Sequence, residues 1–277
     1  MYKLRHWIDK EKITDRVSCN PNAIRFLEEN PDKINWDRLS GNSEAIQILE
    51  ANQDKIFWEH LSGNPGAIKL LESNLDKINW ILLSENPAAI KLLEKNPDKI
   101  EWNYLSENPA AVHLLEKNLD KINWYRLTFN ANAIHLFEHY KENDRFVWGQ
   151  LSANPAAIPL LEANPDRINW RILTYNPAAI KLLESNLDKI EPMYLCLNPA
   201  ASHLLKMDDI NWSWMSGNPE AIDLLESNQD KIDWNNLSKN PAIFQYDYSN
   251  MSRPFTEELM QNRFHPDNLD KFEDWGF

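Results

Sequence analysis

Apolar and polar positions along the chain recur with a period of 22 residues, and each period begins with an Asn that is usually followed by Pro. The unit reads N-P-x-A-I-x-L-L-E-x-N-x-D-K-I-x-W-x-x-L-S-x and is almost intact from Asn86 to Glu107. The register shifts by two residues at an insertion near His139 to Asp144 and at a deletion near Lys206 to Asp208. A fixed period of this length predicts a stack of similar supersecondary units. The anchoring Asn stands at positions 20, 42, 64, 86, 108, 130, 154, 176, 198, 218 and 240.

Each unit predicts two helices. Asn followed by Pro is typical of an N-cap with Pro at the first helical position. A second Asn ten residues later suits the left-handed residue that ends a helix, so the first helix has about three turns. In the second element, Asn79 can cap, and Trp80 and Leu83 share one face of one or two turns, α or 3₁₀. Helices this short need neighbours to be stable, so the pattern predicts an all-α, right-handed helical solenoid of about ten repeats.

The ends depart from the unit. Residues 1–19 contain a half-unit in which Lys12-Ile13 and Val17-Ser18 imitate the D-K-I and L-S positions, and we expect an amino-terminal cap there. The array is assigned to residues 20–245. Residues 246–277 are expected to form a carboxy-terminal cap or tail, in which Thr256 begins a short helix; the terminal DWGF could instead be a docking peptide. With layers roughly 8 to 10 Å apart, an open array would be elongated.

The phrases NPAAIKLLEKNPDKIEWNYLSENP and NPAAVHLLEKNLDKINWYRLT resemble repeat proteins of giant DNA viruses of amoebae that have no characterised chemistry. The resemblance covers residues 20–245, and it implies a viral origin and a binding role. It transfers no catalytic residue. A weaker likeness of pattern is to leucine-rich variant repeats, which alternate an α-helix with a 3₁₀-helix.

Composition narrows the function classes. The chain has 12 Trp, 10 Phe and 43% hydrophobic residues, which is enough for a continuous core. Its net charge of −13 makes nucleic acid an unlikely partner. Cys19 and Cys196 have no metal-ligand spacing, and Cys196 stands where other repeats have Ser or Thr, so a buried filler is expected. No stretch approaches the roughly 18 apolar residues of a membrane span. We therefore expect a soluble intracellular protein, in host cytoplasm or a virion if it is viral.

No motif for phosphate binding, metal ligation or a nucleophilic triad is present, so we expect no enzyme activity, cofactor or metal. Two repeated columns offer alternatives. The Trp column could be a stacking ladder for bases, but packing against the next repeat is the preferred interpretation. The Glu that follows Leu-Leu could supply paired carboxylates, but salt pairs with the residue three positions earlier on the same helix are preferred.

Positions that vary between copies are candidates for recognition, because the constant positions already provide the packing. One variable set lies beside and after the Trp column and is aromatic or apolar in the middle repeats, which favours a protein-binding surface. Packing inside the array is the alternative. This candidate surface consists of Tyr104, Tyr125, Phe129, Ile172, Tyr175, Tyr194, Leu197 and Trp214, with Met193 beside them. A second variable set is a stripe along the first helices, namely Lys69, Lys91, His113, His135, Lys181 and His203.

The favoured function is a non-enzymatic scaffold for protein–protein interaction, with a viral adaptor that engages a host protein as one form of it. A structural, virion or self-assembling protein is the alternative, with the oligomeric state left open. Recognition of single-stranded RNA, one base per repeat, is the less favoured third class.

Overall fold

A computed structural model describes residues 2–139 and 145–247 of the chain. Helices dominate it, which confirms the all-α prediction. The described residues contain two short strands, β1 (Tyr2–Leu4) and β2 (Phe244–Tyr246). The two-residue insertion lies mostly outside the described residues, as do the expected carboxy-terminal helix and the DWGF terminus.

The α-helices form two sets. The first helices follow each anchor, and the Trp helices begin at or near each column Trp. The first helices are Ile24–Glu29, Ile46–Ala51, Ile68–Glu72, Ile90–Lys95, Val112–Glu116, Ile158–Glu162, Ile180–Glu184 and Ile222–Glu226. The Trp helices are Trp36–Ser40, Trp58–Ser62, Trp80–Glu85, Trp102–Leu105, Trp124–Leu127, Arg145–Leu151, Trp170–Leu173, Trp212–Ser216 and Trp234–Lys239.

Short 3₁₀ helices surround these α-helices. One set lies directly after the anchor Asn: Pro21–Ala23, Ser43–Ala45, Pro65–Ala67, Pro87–Ala89, Pro155–Ala157, Pro177–Ala179, Pro219–Ala221 and Pro241–Ile243. Another set precedes the Trp helix: Pro31–Lys33, Gln53–Lys55, Leu75–Lys77, Pro97–Lys99, Leu119–Lys121, Pro165–Arg167, Leu187–Lys189, Met207–Asp209 and Gln229–Lys231. The remaining 3₁₀ helices are Lys10–Lys12, Asp15–Cys19, Ala131–His139, Pro192–Leu197 and Pro199–Leu204.

The start of each unit follows the predicted capping, with one difference in the helix that follows. The side-chain oxygen of Asn86 accepts a hydrogen bond of 3.0 Å from the N–H of Ala88. The chain then makes a 3₁₀ turn before the α-helix that begins at Ile90, so the expected three-turn helix is divided in two. Pro at the first position tolerates this start because it has no N–H to satisfy.

The predicted left-handed Asn at the end of the first helix is wrong. Asn96 has a φ of −130°, and its side-chain nitrogen donates to the carbonyl of Leu92 at 2.8 Å. The side chain therefore satisfies a free carbonyl of the last turn, and no positive φ is needed. Asn96 then caps the next 3₁₀ helix, Pro97–Lys99, so the unit has more elements than the sequence predicted.

The anchor Asn side chains join successive repeats. The amide nitrogen of Asn108 donates to the carbonyls of Asn86 and Ser84, both at 2.9 Å. Asn108 itself is fully buried. A buried amide that satisfies two carbonyls of the preceding repeat fixes both the spacing and the register of the stack.

The Ser column makes a second link between repeats. The hydroxyl of Ser84 donates to the carbonyl of Trp80 at 2.8 Å and accepts the N–H of Glu101, in the next repeat, at 3.1 Å. Cys196 takes this role in its repeat, where its sulfur accepts the N–H of Asn211 at 3.3 Å. The buried residue is thus a hydrogen-bond acceptor as well as a filler.

A continuous apolar core runs through the stack. Its fully buried members include Leu71, Leu83, Leu93 and Leu105, one pair from each repeat. The column Trp side chains are partly buried against this core, as the packing interpretation requires. A cation from the next repeat lies over six of these rings, and the Lys55 ammonium, for example, lies 4.6 Å from the ring centre of Trp36. The six rings are those of Trp36, Trp58, Trp102, Trp148, Trp170 and Trp212.

The two ends of the array contact each other. β1 pairs with β2 in antiparallel register, with Tyr2 opposite Tyr246. The bonds of the repeat also cross this seam, because the amide nitrogen of Asn20 donates to the carbonyl of Asn240 at 3.0 Å. The hydroxyl of Ser238 accepts the N–H of Thr14 at 3.0 Å, as Ser84 does within the array.

These contacts correct the expectation of an elongated array with capped open ends. Residues 2–19 form a half-repeat, in which Asp15–Cys19 stacks on the last Trp helix. The Lys12 ammonium covers Trp234 at 5.0 Å, as Lys55 covers Trp36. The described repeats therefore form a closed ring. A stack of repeats closes in this way when the small rotation between neighbours accumulates in one direction. The handedness of the stack and the domain boundaries stay predictions.

Candidate interaction surface

The Trp helices lie on the concave side of the ring. Successive Trp helices contact each other directly. Arg126 forms ion pairs with Glu107 at 2.7 Å and with Glu85, two repeats back, at 3.3 Å. A side chain can span two repeats only where the repeats crowd together, so this side is the inner one.

We define the inner rim as two residues from each repeat: the one two positions after the column Trp, or after Pro192 in the repeat where Pro replaces Trp, and the one directly before the anchor Asn. The rim residue before an anchor Asn contacts the first rim residue of the next repeat. Tyr175 and Tyr194 show this contact, with ring centres 6.4 Å apart. A side chain added at Gly217 would likewise meet Asn236. The rim is therefore a continuous surface made almost wholly of variable positions.

Three predicted residues form an aromatic row on this rim. Tyr194 lies between Tyr175, at 6.4 Å, and Trp214, at 5.5 Å between ring centres. The guanidinium of Arg171 lies 4.8 Å from the ring centre of Tyr194 and donates to its hydroxyl. Burial, with a smaller contribution from Tyr194, raises the pKa of Tyr175 against the opposing charge of Arg171, so its phenol is neutral at physiological pH. The row offers partly exposed aromatic faces that carry no charge of their own.

A cavity of about 350 Å³ lies at the end of the aromatic row. The two preceding repeats have Tyr175 and Leu197 at the rim position that Gly217 occupies. The cavity forms because Gly217 has no side chain there and because the residue that faces it, Asn236, is small. Its lining residues are Cys196, Leu197, Pro199, Trp214, Gly217, Asn218, Pro219, Asn236 and Lys239. Leu197, 45% exposed, joins the row to the cavity.

Lys239 stands at the polar end of the cavity. Its side chain is exposed, and within the described residues no acidic group pairs with it. Asn236 cannot act as a donor there, because its amide nitrogen already donates to the carbonyl of Ser213 at 3.0 Å and to Asp233 at 3.3 Å. The cavity thus combines apolar walls with one unpaired cation.

The other predicted surface residues are not members of the row, although Ile172 adjoins it because its carbonyl accepts the N–H of Tyr175 at 3.4 Å. Tyr125 and Phe129 form an exposed edge-to-face pair at 5.8 Å, with exposures of 37% and 48%. Tyr104 is half-buried under the guanidinium of Arg126, which lies 3.9 Å from its ring centre. Ile172 is half-buried and Met193 is exposed. The structure therefore brings half of the predicted set together, namely Tyr175, Tyr194, Leu197 and Trp214.

An acidic pair lies on the rim beside Tyr104. Burial and the charge of Glu107 raise the pKa of Glu85, and Arg126 opposes this shift. Arg126 joins both carboxylates in one ion-pair group. The positive charge of Arg126 is paired with both carboxylates, so the group links three repeats and leaves no cation free for a partner.

The predicted stripe Lys69, Lys91, His113, His135, Lys181 and His203 is exposed along its whole length. For the three histidines of the stripe, the expected pairing with Glu in the same helix is replaced by pairing between repeats. His113 contacts Glu94 of the preceding repeat at 3.1 Å, and His203 contacts Glu184 at 3.2 Å. The carboxylate at the end of one first helix is nearer to the next helix than to its own residue three positions back. Exposed pairs of this kind add little stability.

Sequence reasoning missed Arg171, Gly217, Asn236 and Lys239. The detectable signal was a pair of small residues at facing rim positions, Gly217 and Asn236. At the two other Gly residues that directly precede an anchor Asn, the facing residue is larger: Gly41 faces His60 and Gly63 faces Leu82. The cavity lies where the facing residue is smallest.

Within residues 2–139 and 145–247, no group of three or more His, Cys, Asp or Glu side chains is arranged to hold a metal ion. In the same part of the chain, no helix is long and apolar enough to cross a bilayer. Comparison with family models, with curated proteins and with solved structures finds no match to this chain.

Proposed function

We propose that this protein is a ring-shaped, non-enzymatic binding module that holds a protein partner on its inner rim. The observation that carries the proposal is the aromatic row Tyr175, Tyr194 and Trp214, which continues into the cavity at Gly217. Aromatic side chains bury a large area at low entropic cost, which is why they dominate the energetics of protein interfaces. The rim residues vary while the Asn, Ser and Trp columns maintain the scaffold.

Two competing functions have less support. Single-stranded RNA would meet a net charge of −13 and the carboxylates of Glu85 and Glu107 on the rim itself. End-to-end assembly would need free repeat ends, and the bond between Asn20 and Asn240 occupies them. A protein partner on the rim is compatible with the negative net charge and with the closed repeat ends.

The test compares variants of the full chain in affinity capture from extract of cells that express it, followed by binding measurements with the captured protein. The double variant Tyr194→Ser and Trp214→Ser should weaken binding at least about tenfold, the effect of losing interface anchors. The matched control, Lys69→Ala with Lys91→Ala on the outer stripe, should bind as the wild type does.

Thermal melting first establishes that each variant is folded. If the double variant is not folded, Leu197→Asp replaces it. Unchanged binding by the rim variant, or an equal loss in the stripe variant, would overturn the proposed function.

A further inference from the structure

We propose that the cavity beside Trp214 binds an extended acidic peptide segment, with a large apolar side chain inside the cavity and an adjacent carboxylate on Lys239. This inference rests on the proposed function, since it assigns a chemical class to the segment of the partner that the inner rim holds. It goes further by naming the residue that selects the charge of that segment.

The shape and lining of the cavity suit an apolar side chain. Its volume of about 350 Å³ is at the small end of pockets that bind organic groups, and it suits one large side chain rather than a folded element. Trp214, Leu197, Pro199 and Pro219 supply flat apolar walls. Tyr194 and Tyr175 continue these walls along the rim, so a bound segment can extend from the cavity over the aromatic row.

The charged part of the proposed site depends on which cations on the rim, and beside it at Arg171, are already paired. Arg126 is neutralised by two carboxylates, and Arg38 lies 3.8 Å from Asp15. Arg171 is engaged with Tyr194 and lies 4.0 Å from Glu191. Lys239 differs from these three because no described acidic group pairs with it. A carboxylate placed at Lys239 would gain an ion pair without breaking one.

The nearest acidic side chain on the same helix does not neutralise Lys239. Asp233 caps the amino-terminal end of helix Trp234–Lys239, where it accepts from the N–H groups of Asn235 and Asn236 and from the hydroxyl of Ser213. Lys239 is at the opposite end of that helix. The two charges are therefore separated by the helix length, and Asp233 is already satisfied where it is.

Charge also gives the site its selectivity. A chain of net charge −13 repels acidic segments in general, so only a position with an uncompensated cation can hold one. An acidic segment would consequently be restricted to this end of the aromatic row, and a basic segment would be rejected at Lys239.

The experiment measures binding of the full chain to two dye-labelled, seven-residue peptides by fluorescence anisotropy. Each peptide has one central Trp, followed by two Asp in the acidic probe and by two Lys in the basic probe. The wild type should bind the acidic probe roughly tenfold more tightly than the basic probe. Lys239→Glu should reverse this preference, and Trp214→Ala should weaken binding of both probes.

Lys117→Glu is the matched control, because Lys117 is also exposed but directly follows the first helix Val112–Glu116, away from the cavity. It changes the net charge as Lys239→Glu does and should retain the acidic preference. Equal binding of the two probes, no binding of either, or a preference that survives Lys239→Glu would overturn the inference.

These outcomes are separable from the fate of the proposed function. If partner capture depends on Tyr194 and Trp214 but the probes show no dependence on Lys239, the rim binds protein and the acidic assignment is wrong. If Lys239→Glu reverses the preference between the two probes while partner capture is unchanged by the rim substitutions, the peptide site is supported and the rim is not the main partner surface.

Discussion

The junction between Asn86 and Asn108 and the junction between Asn240 and Asn20 use the same bonds with different connectivity. In both, an anchor amide donates to the preceding anchor carbonyl, at 2.9 Å inside the array and at 3.0 Å across the seam. The inner junction is also held by the peptide chain, and the seam is not. The seam adds β1 pairing with β2 and ion pairs to the buried Asp247.

The repeat therefore supplies the bonds that close the ring. Nothing in the seam bonds of Asn20, Thr14 or Lys12 is specialised, since each has an equivalent inside the array. The strand pair and the ion pairs offset the entropy of bringing together two chain ends that no short loop connects. If this account is correct, the seam should respond to substitution as an inner junction does.

The largest expected effect is on the anchor Asn side chains. Asn108→Ala and Asn20→Ala should each lower the free energy of unfolding by about 3 kcal/mol, because each leaves two buried carbonyls and one N–H without a partner. Urea unfolding followed by circular dichroism measures both, with the exposed Asn235→Ala as control. A large loss at Asn108 with none at Asn20 would mean that the seam is open in solution.

The next effect concerns the bonds that only the seam has. Asp247 is almost fully buried and contacts Lys3 at 3.0 Å and Arg25 at 3.4 Å. Asp247→Asn should lower the free energy of unfolding by roughly 1 to 2 kcal/mol, since both cations remain partly hydrated. Asp230→Asn, on an exposed turn, is the control. An equal effect of the two substitutions would mean that the ion pairs do not hold the seam.

A smaller effect is expected in the repeat that begins at Asn176, where Cys196 replaces the Ser or Thr of the other repeats. Cys196→Ser should raise the free energy of unfolding by about 0.5 to 1 kcal/mol, because a hydroxyl accepts the N–H of Asn211 better than a thiol does. Burial raises the pKa of the Cys196 thiol above its ordinary 9.0. The folded thiol therefore stays protonated when the unfolded one ionises, and the wild type should lose stability relative to the Ser variant above that pH.

Urea unfolding of the wild type and of Cys196→Ser at neutral pH and at pH values above 9.0 measures both effects. Cys19→Ser, at an exposed position, should change neither. A destabilised Cys196→Ser variant would contradict the equivalence of Cys196 to the Ser column.

The smallest effect compares equivalent cations inside the array and at the seam. Lys55→Gln and Lys12→Gln each remove an ammonium from the face of a column Trp and should cost about 0.5 kcal/mol. The two losses should agree within error, with Lys117→Gln as control. An effect at Lys55 without one at Lys12 would mean that the half-repeat is not stacked on Trp234 in solution.

Local features of the fold were predictable from the sequence, and the closure was not. Asn-Pro capping at Asn86 and the likeness of Lys12-Ile13 to the D-K-I position follow from residue type and spacing. Closure depends on a small rotation between neighbours summed over all junctions, and no single residue encodes it. The prediction of a left-handed backbone at Asn96 was wrong because its side chain donates directly to the Leu92 carbonyl. Asn is common in both arrangements, so the residue type alone does not distinguish them.

In the candidate site too, some features were predictable from the sequence and others were not. The row Tyr175, Tyr194 and Trp214 was predicted as variable aromatic positions, because departure from the repeat is visible in the sequence. The cavity was not predicted, since it requires knowing that Gly217 faces Asn236 in the next repeat. Lys239 was missed because an unpaired charge is defined by the absence of neighbours in three dimensions.

Closure of the ring is the central claim, and a disulfide across the seam tests it most directly. In a chain carrying Cys19→Ser and Cys196→Ser, the pair Lys3→Cys and Gln245→Cys places two thiols at positions that are direct partners in the strand pair. Directly opposite residues in an antiparallel pair are within disulfide range, so mild oxidation should form an intramolecular bond. The product, a covalent circle spanning residues 3–245, should migrate anomalously on a denaturing, non-reducing gel, and the control pair Lys3→Cys with Lys117→Cys should not form it. Absence of the circular product from the seam pair, or equal yields from the two pairs, would contradict the closed ring.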